Sequence, residues 1–300
     1  MKVFWLWRPT NRHWLGHLLL LPGLFVTALL VLYPLSLAFD LSFQRVRLMR
    51  AGGPSAPFTI DNYVRLAGSA DFWNAGLVSL LFVLFVTAGC FAVGIGSALL
   101  VNERFPGRRI ARLLVALPWA VPEVVAAAIW SWLFDAAFGL VNWLLLKIGL
   151  IAAPVAWLSE PRAAFAVCAS ALIWTGYPFV AVMALAGLQA IPGELYEAAR
   201  MDGARAWARF RHVTLPCLRP VCVIALILVV LRTVRDFAIV FATTGGGPVG
   251  ATRSLAIYTY EQAFSFYNIG YAAAIGVVTL VLCGVFSTIL VRGVAAESRA

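Results

Sequence analysis

Five stretches of this chain run for more than twenty residues with at most one charged side chain each. They are 15–39, broken only by His17, then 75–101, 113–134 with its single Glu123, 163–188 and 266–291. A bilayer core of about 30 Å is crossed by roughly 20 apolar helical residues, and a helix satisfies its own backbone there. The runs therefore read as membrane spans. Hydrophobic residues make up 62% of the 300-residue chain, with a mean hydropathy of +0.91, far above a soluble domain's apolar share. Lys2, Arg8 and Arg12 precede the first run like the basic start of a secretory signal. Its apolar stretch exceeds the roughly 7–15 residues of a cleaved signal, so a retained first helix is expected.

A further run, 217–243, is interrupted by Arg232, Arg235 and Asp236, and 137–158 is apolar but holds Lys147 and Pro154. Charge asymmetry chooses the count. With 217–243 as the fifth of six spans and the N-terminus inside, fourteen of the 23 basic residues fall on inner segments and seven on outer ones, with Arg232 and Arg235 within a span. Making 137–158 a span would carry the five arginines of 200–219 outward, against the positive-inside bias. The expectation is an all-α polytopic bundle of six spans, both termini cytoplasmic, with 137–158 interfacial. The four arginines of the first outer loop are offset by Asp40, Asp61 and Asp71.

The net charge of +10 is thus spent on topology and not on nucleic acid. Cys90, Cys168, Cys217, Cys222 and Cys283 form no C-x-x-C pair and have no histidine cluster beside them, so they read as small apolar residues. Pro22, Pro34, Pro118, Pro122 and Pro178 predict kinks. Ala92/Gly96 and Gly270/Ala274 predict close helix approach.

Between the fourth and fifth spans lies "ELYEAARMDGARAWARFRHVTLP", residues 194–216, a mixed-charge island in a chain only 12% charged. Pro192 suits a first helical turn, Leu195, Ala198 and Ala199 make an apolar stripe, and Gly203 supplies a bend. Arg205, Arg209 and His212 then share one helical face, Trp207, Phe210 and Thr214 the opposite one, and Pro216 marks the passage into the next span. Such a helix–bend–helix is either a solvated loop anchoring two spans or a surface that docks into a partner's groove.

Read as Glu197-Ala198-Ala199-x3-Gly203-x9-Val213-x-Leu215-Pro216, the island resembles the EAA signature of ABC importer permeases, with Val in the usual Ile place. "LPWAVPEVVAAAIWSWLFD" (117–135), "GLQAIPGELYEAARMDGA" (187–204) and "TGGGP" (244–248) look like the sugar-type branch, similar to maltose and glycerol-phosphate permeases. The resemblance covers essentially the whole chain. It implies a type I importer permease fold with an N-terminal segment, first span and outer loop at 1–73. A permease core at 74–292 follows, with its coupling loop at 189–216, and then a tail at 293–300. It implies that the loop docks into a cytoplasmic ATPase, whose ATP-driven closure swings the bundle from inward-facing to outward-facing. Glu197 would pair with a basic residue of the ATPase, Ala198 and Ala199 would permit close contact, and Gly203 would provide the bend. The implied partners are a second permease subunit, two copies of the ATPase and a periplasmic or lipid-anchored solute-binding protein, in a bacterial inner membrane. No cofactor is expected on this chain: ATP and Mg2+ belong to the ATPase. Its only lysines, Lys2 and Lys147, lie in no G-x-x-x-x-G-K-[ST] pattern. "TGGGP" reads as a flexible outer turn or as a contact for the binding protein.

Charges within spans are costly and mark candidate function. Glu123, Arg232, Arg235 and Asp236 are the candidates for a substrate path, and Arg232 and Asp236, four apart, are placed to pair on one helical face. The resemblance implies an Asp after Phe where this chain has Phe237-Ala238, with the acid at Asp236 instead. Trp174, Tyr177 and Tyr271 are aromatic candidates for stacking on sugar rings. An ion-gradient-driven transporter is the alternative, for which neither an internal repeat nor a proton relay is evident. A membrane enzyme is remote, since His13, His17 and His212 are scattered.

Overall fold

The protein is described here by a computed structural model covering residues 12–47 and 58–297. Lys2, Arg8, Arg50 and Arg299 of the charge count lie outside the described residues, as does the very end of the 293–300 tail. Every regular element among the described residues is helical. Among the described residues, five helices are long and apolar enough to cross a bilayer: Leu19–Ser42, Ala70–Asn102, Pro161–Ala190, Ala206–Arg235 and Ile269–Gly293. The third expected span is not one straight helix. Arg108–Ala120 and Glu123–Leu133 meet at 97° across Val121 and Pro122.

The chain forms two compact units. The first contains α1 (Arg12–Thr27), α2 (Tyr33–Ser42), α3 (Asp61–Ala67) and the start of α14 (Ile269–Glu297). Asn62 ties it together by donating to the Ser42 and Gln44 carbonyls at 2.8 and 2.9 Å. Gly270 donates its N–H to Val46 O at 3.2 Å, and a Cβ there would stand 2.0 Å from the Gln44 carbonyl. Glycine is therefore required where these backbones meet, as the Gly270/Ala274 spacing anticipates.

The second unit is built on α4 (Ala70–Asn102) and α8 (Pro161–Ala190). Ser69 caps α4 by accepting from Phe72 N, and Glu160 caps α8 by accepting from Ala163 N, with Pro161 in the first turn. Lipid removes most of the hydrophobic drive between helices, so their association rests on close fit. A Cβ on Gly89 would lie 2.4 Å from Ile173 Cδ1, and one on Gly94 2.7 Å from Val180 Cβ. Gly89 and Gly94 make this contact; the anticipated Ala92 is exposed and Gly96 meets nothing within 4 Å. Phe82, Cys90, Cys168, Leu172 and Val180 form the core, joined by Val229, Ile239 and Ile257.

Two prolines leave the same mark. Ahead of Pro34 the helix passes through a π turn, Ala28–Leu32, with Tyr33 N–H bonded to Ala28 O. Ahead of Pro216 it does so again at Phe210–Thr214, with Leu215 N–H bonded to Phe210 O. Proline offers no N–H to the carbonyl four residues back, and the helix absorbs this by widening rather than ending. Pro216 therefore does not separate the charged island from the next span. A continuous helix runs from Ala206 to Arg235.

Residues 137–158 contain α7 (Leu140–Lys147), eight residues and about 12 Å long, too short to cross a bilayer. Asn142 anchors it: its Oδ1 accepts from Val155 N at 3.2 Å and Trp157 Nε1 at 2.8 Å, and its amide reaches the Val155 carbonyl at 3.0 Å. Lys147 lies over the Trp143 ring at 4.6 Å, a pair suited to a membrane–water boundary.

Candidate functional site

The charged island folds as α9 (Gly193–Met201), a tight turn, and α10 (Ala206–Arg209), which continues through the π turn into α11 (Leu215–Arg235). Pro192 sits one position earlier than expected, as the residue before α9, with extended ψ of 132°. Gly203 takes φ +75°, a left-handed conformation glycine adopts without a Cβ clash. There Asp202, Gly203 and Ala204 donate to the Ala198, Arg200 and Ala199 carbonyls, closing the end of α9. Arg209 Nη1 donates to Ala204 O at 3.0 Å, and the Tyr196 hydroxyl meets Thr214 Oγ1 at 3.0 Å. The Tyr196–Thr214 bond fixes α9 to the root of the long helix, and the Arg209–Ala204 bond ties down the turn between them.

What this arrangement exposes is the motif itself. Glu197, Ala198 and Gly203 are exposed and Ala199 is half-buried, while Met201 is 89% exposed beside the turn. Val213 is half-buried, and Leu215 and Pro216 are exposed in the first turn of α11. Trp207 stacks on Phe210 at 5.5 Å and is 70% exposed, whereas Thr214, at the end of the π turn, is buried.

Some 20 residues along that helix is a cavity of about 210 Å³, lined by Cys90, Trp119, Gly176, Phe179, Arg232 and Asp236 among others. Two interrupted runs meet there. The third breaks at Val121-Pro122 and restarts as α6 (Glu123–Leu133), and the fifth breaks at Asp236 and restarts as α12 (Ala238–Thr244). At 1.5 Å per residue, α6 is about 16 Å long, half a bilayer core. Each half-helix begins beside an acid. Asp236, only 7% exposed, accepts from Ile239 N at 3.3 Å and caps α12, while Glu123 is the first residue of α6.

Arg232 does not pair with Asp236 on a helical face, because α11 ends at Arg235 and Asp236 turns to ψ 121°. Its guanidinium donates instead to the Thr175 carbonyl and hydroxyl, both at 3.1 Å, and lies 3.5 Å from Glu123 Oε1. The side chain thus bridges α11, α8 and α6. Gly176 leaves room for it, since a Cβ there would stand 2.8 Å from Cys90 Sγ and 3.3 Å from Arg232 Nη1. Gly176→Val is therefore expected to lower thermal stability by about 1–3 kcal/mol through overcrowding and to displace Arg232. A melting curve of the purified variant checks this.

Of the candidates read from sequence, Arg232 and Asp236 line the cavity, and Glu123, outside the lining, reaches Arg232. Arg235 is exposed and does not line the cavity. Trp174 and Tyr177 lie on α8 off the Leu172, Gly176, Phe179 face that lines it; Trp174 meets Trp130 edge-on at 6.5 Å. Tyr271 belongs to the first unit, buried, with the Arg65 guanidinium 4.8 Å from its ring centroid. Sequence reasoning missed Thr175, Gly176, Trp119 and Phe179. The i, i+4, i+7 spacing of Leu172, Gly176 and Phe179 was the available signal.

"TGGGP" is a tied loop and not a slack one. Thr252, fully buried, meets Thr244 Oγ1 at 2.7 Å and donates to Gly247 O at 2.8 Å. Arg253 binds Glu261 at 2.6 Å and Asp71 at 3.2 Å.

Residues 90–298 match the family described as binding-protein-dependent transport system inner membrane component. The trehalose/maltose transport system permease protein MalF of Thermococcus litoralis is 38% identical over 93% of this chain and 92% of its own. The sulfoquinovosyl glycerol transport system permease protein SmoG of Agrobacterium fabrum is 35% identical over 95% of this chain and 92% of its own. In fold, the chain is similar to a subunit in the crystal structure of a bacterial ABC transporter involved in import of the acidic polysaccharide alginate. That likeness has a TM-score of 0.80 at 23% identity and covers 94% of this chain and 95% of the other.

Proposed function

The chain belongs to the family of binding-protein-dependent transport system inner membrane components, and from that premise we propose how it acts as the permease subunit of an ABC importer for carbohydrate cargo. It is a multi-pass inner-membrane protein whose ATP hydrolysis resides on another subunit. In our reading it crosses the bilayer six times, the bent third run counting as one span, with both termini and the loop 189–216 cytoplasmic. It works with a second permease, two copies of the ATPase and a periplasmic or lipid-anchored binding protein.

The observation that carries the reading is mechanical. A motif held out by the left-handed turn at Gly203 is bonded at its root to a 30-residue helix, Ala206–Arg235, that ends at the cavity. ATPase closure against Glu197, Ala198 and Ala199 moves α9. The Tyr196–Thr214 and Arg209–Ala204 bonds pass that movement to the long helix. Arg232, about 27 Å up the axis from Thr214, carries it to α6 and α8. A short element transmits force only when it is fixed at both ends.

The cargo class has two supports. Both curated relatives above are named for glycosides, and the cavity offers sugar-like contacts. Trp119 and Phe179, edge-on at 6.0 Å, present apolar ring surface, while Asp236 presents acceptors and Arg232 donors for hydroxyls. Its volume, about seven waters' worth, suits a single sugar ring at a time.

The test is co-purification of the ATPase with the permease together with sugar uptake. Glu197→Lys is expected to lose both, because it reverses the charge offered to the ATPase. Undiminished co-purification and uptake would remove Glu197 from the docking surface.

A further inference from the structure

The relatives leave open the charge of the cargo, since one is named for a neutral disaccharide and another for a sulfonated glycoside. We infer that the cavity lined by α4, α8, α11, Trp119 and Asp236 selects a neutral or cationic glycoside and rejects an anionic one. The inference rests on the reading that cargo passes through this cavity.

Among the described residues Arg232 is the one cation of the lining, and it is engaged three ways by the protein itself: two bonds to Thr175 and the ion pair with Glu123. Asp236 is the lining carboxylate, and Glu123, outside the lining, pairs with the guanidinium from behind, so the cation is neutralised while Asp236 faces the cavity. Half-helix N-termini would ordinarily attract an anion. Here both carry the chain's own acids: Asp236 accepts an N–H of α12, and Glu123 opens α6. An incoming carboxylate, sulfonate or phosphate therefore meets like charge and must compete with Glu123 for Arg232. A sugar hydroxyl meets acceptors instead, and a protonated amino sugar gains an ion pair.

Lining residues elsewhere on the wall do not alter the balance. Val86, Leu172, Leu228 and Val229 are apolar, and the Thr233 hydroxyl donates back to Val229 O at 2.8 Å. Excluding water from such a wall strengthens each charge interaction.

The permease pair with its ATPase, in lipid nanodiscs and without binding protein, is titrated with methyl glucoside, methyl glucuronide and methyl glucosaminide. Binding is followed by ligand-observed NMR. The expected order is amine at least equal to neutral, with the glucuronide at least tenfold weaker. In Glu123→Gln/Asp236→Asn the glucuronide's disadvantage is expected to shrink to within threefold, provided gel filtration shows the assembly intact. The Asp236→Asn change alone, which retains a capping side chain, should close part of the gap. Glucuronide binding as tight as the neutral glucoside in the unaltered protein overturns the charge inference and leaves the sugar reading standing. Binding of none of the three overturns the placement of cargo in this cavity, and the charge inference with it.

Discussion

Gly203→Pro is expected to abolish uptake while the protein still reaches the membrane. Proline fixes φ near −65°, whereas this position sits at +75° and donates its N–H to Arg200 O. The native turn becomes unattainable at a cost of about 3 kcal/mol or more, which disfavours the docking geometry by more than roughly 100-fold. α9 would then leave the direction that presents Glu197 and Ala198. Nothing packs where a Cβ would project at Gly203, so the effect is one of backbone conformation and not of crowding. Asparagine tolerates the left-handed region, so Gly203→Asn is expected to keep most of the uptake, with Gly203→Ala between them. Sugar uptake and ATPase co-purification across the three variants check the order Asn, Ala, Pro. Equal activity in all three would show that the turn does not set the docking geometry.

Arg232→Met carries the second large effect. It removes the link among three helices and leaves Glu123 and the Thr175 groups without their donor. Breaking a buried ion pair by truncating one partner costs about 3–5 kcal/mol. Here the Glu123 side chain is 47% exposed, so about 2–3 kcal/mol is expected. Uptake should fall at least tenfold, because the long helix no longer moves α6 and α8 with it. Lysine is not an adequate substitute, since one ammonium cannot serve Thr175 and Glu123 in the fork that a guanidinium provides. Pairing the change with Glu123→Gln should recover part of the stability without recovering uptake, which separates the structural from the transport role. Thermal melting and uptake measured on the same preparations decide it.

The long spans were legible because lipid imposes a length and a polarity that a linear scan can count. The island at 194–216 was legible because its bend, stripe and charges are local, and Gly203 adopts the conformation its position implied. The breaks were not. Pro122 signalled a kink in the third run, but the 97° turn depends on what receives α6, and α12 is the neighbour packed against it. Asp236 looked like the i+4 partner of Arg232 only while the helix was taken to continue. Once α11 stops at Arg235, the aspartate serves α12 and the arginine turns to other helices. Trp174 and Tyr177 drew notice as aromatics, whereas the wall of the cavity is set by helix rotation, which selects Gly176 and Phe179. The same rotation puts Gly89 and Gly94 between α4 and α8 in place of Ala92 and Gly96. Composition shows which residues can allow close approach, and only the assembled helices show which do.

The coupling of this bundle to an external ATPase is tested most directly by transport in a sealed system. The chain, its companion permease, the ATPase and the binding protein are reconstituted in liposomes, with ATP and Mg2+ on the ATPase side and labelled sugar with binding protein on the other. The account predicts uptake that requires ATP, proceeds without any proton or sodium gradient, and disappears in Gly203→Pro. Uptake driven by an ion gradient in the absence of ATP, or persisting in Gly203→Pro, would contradict it.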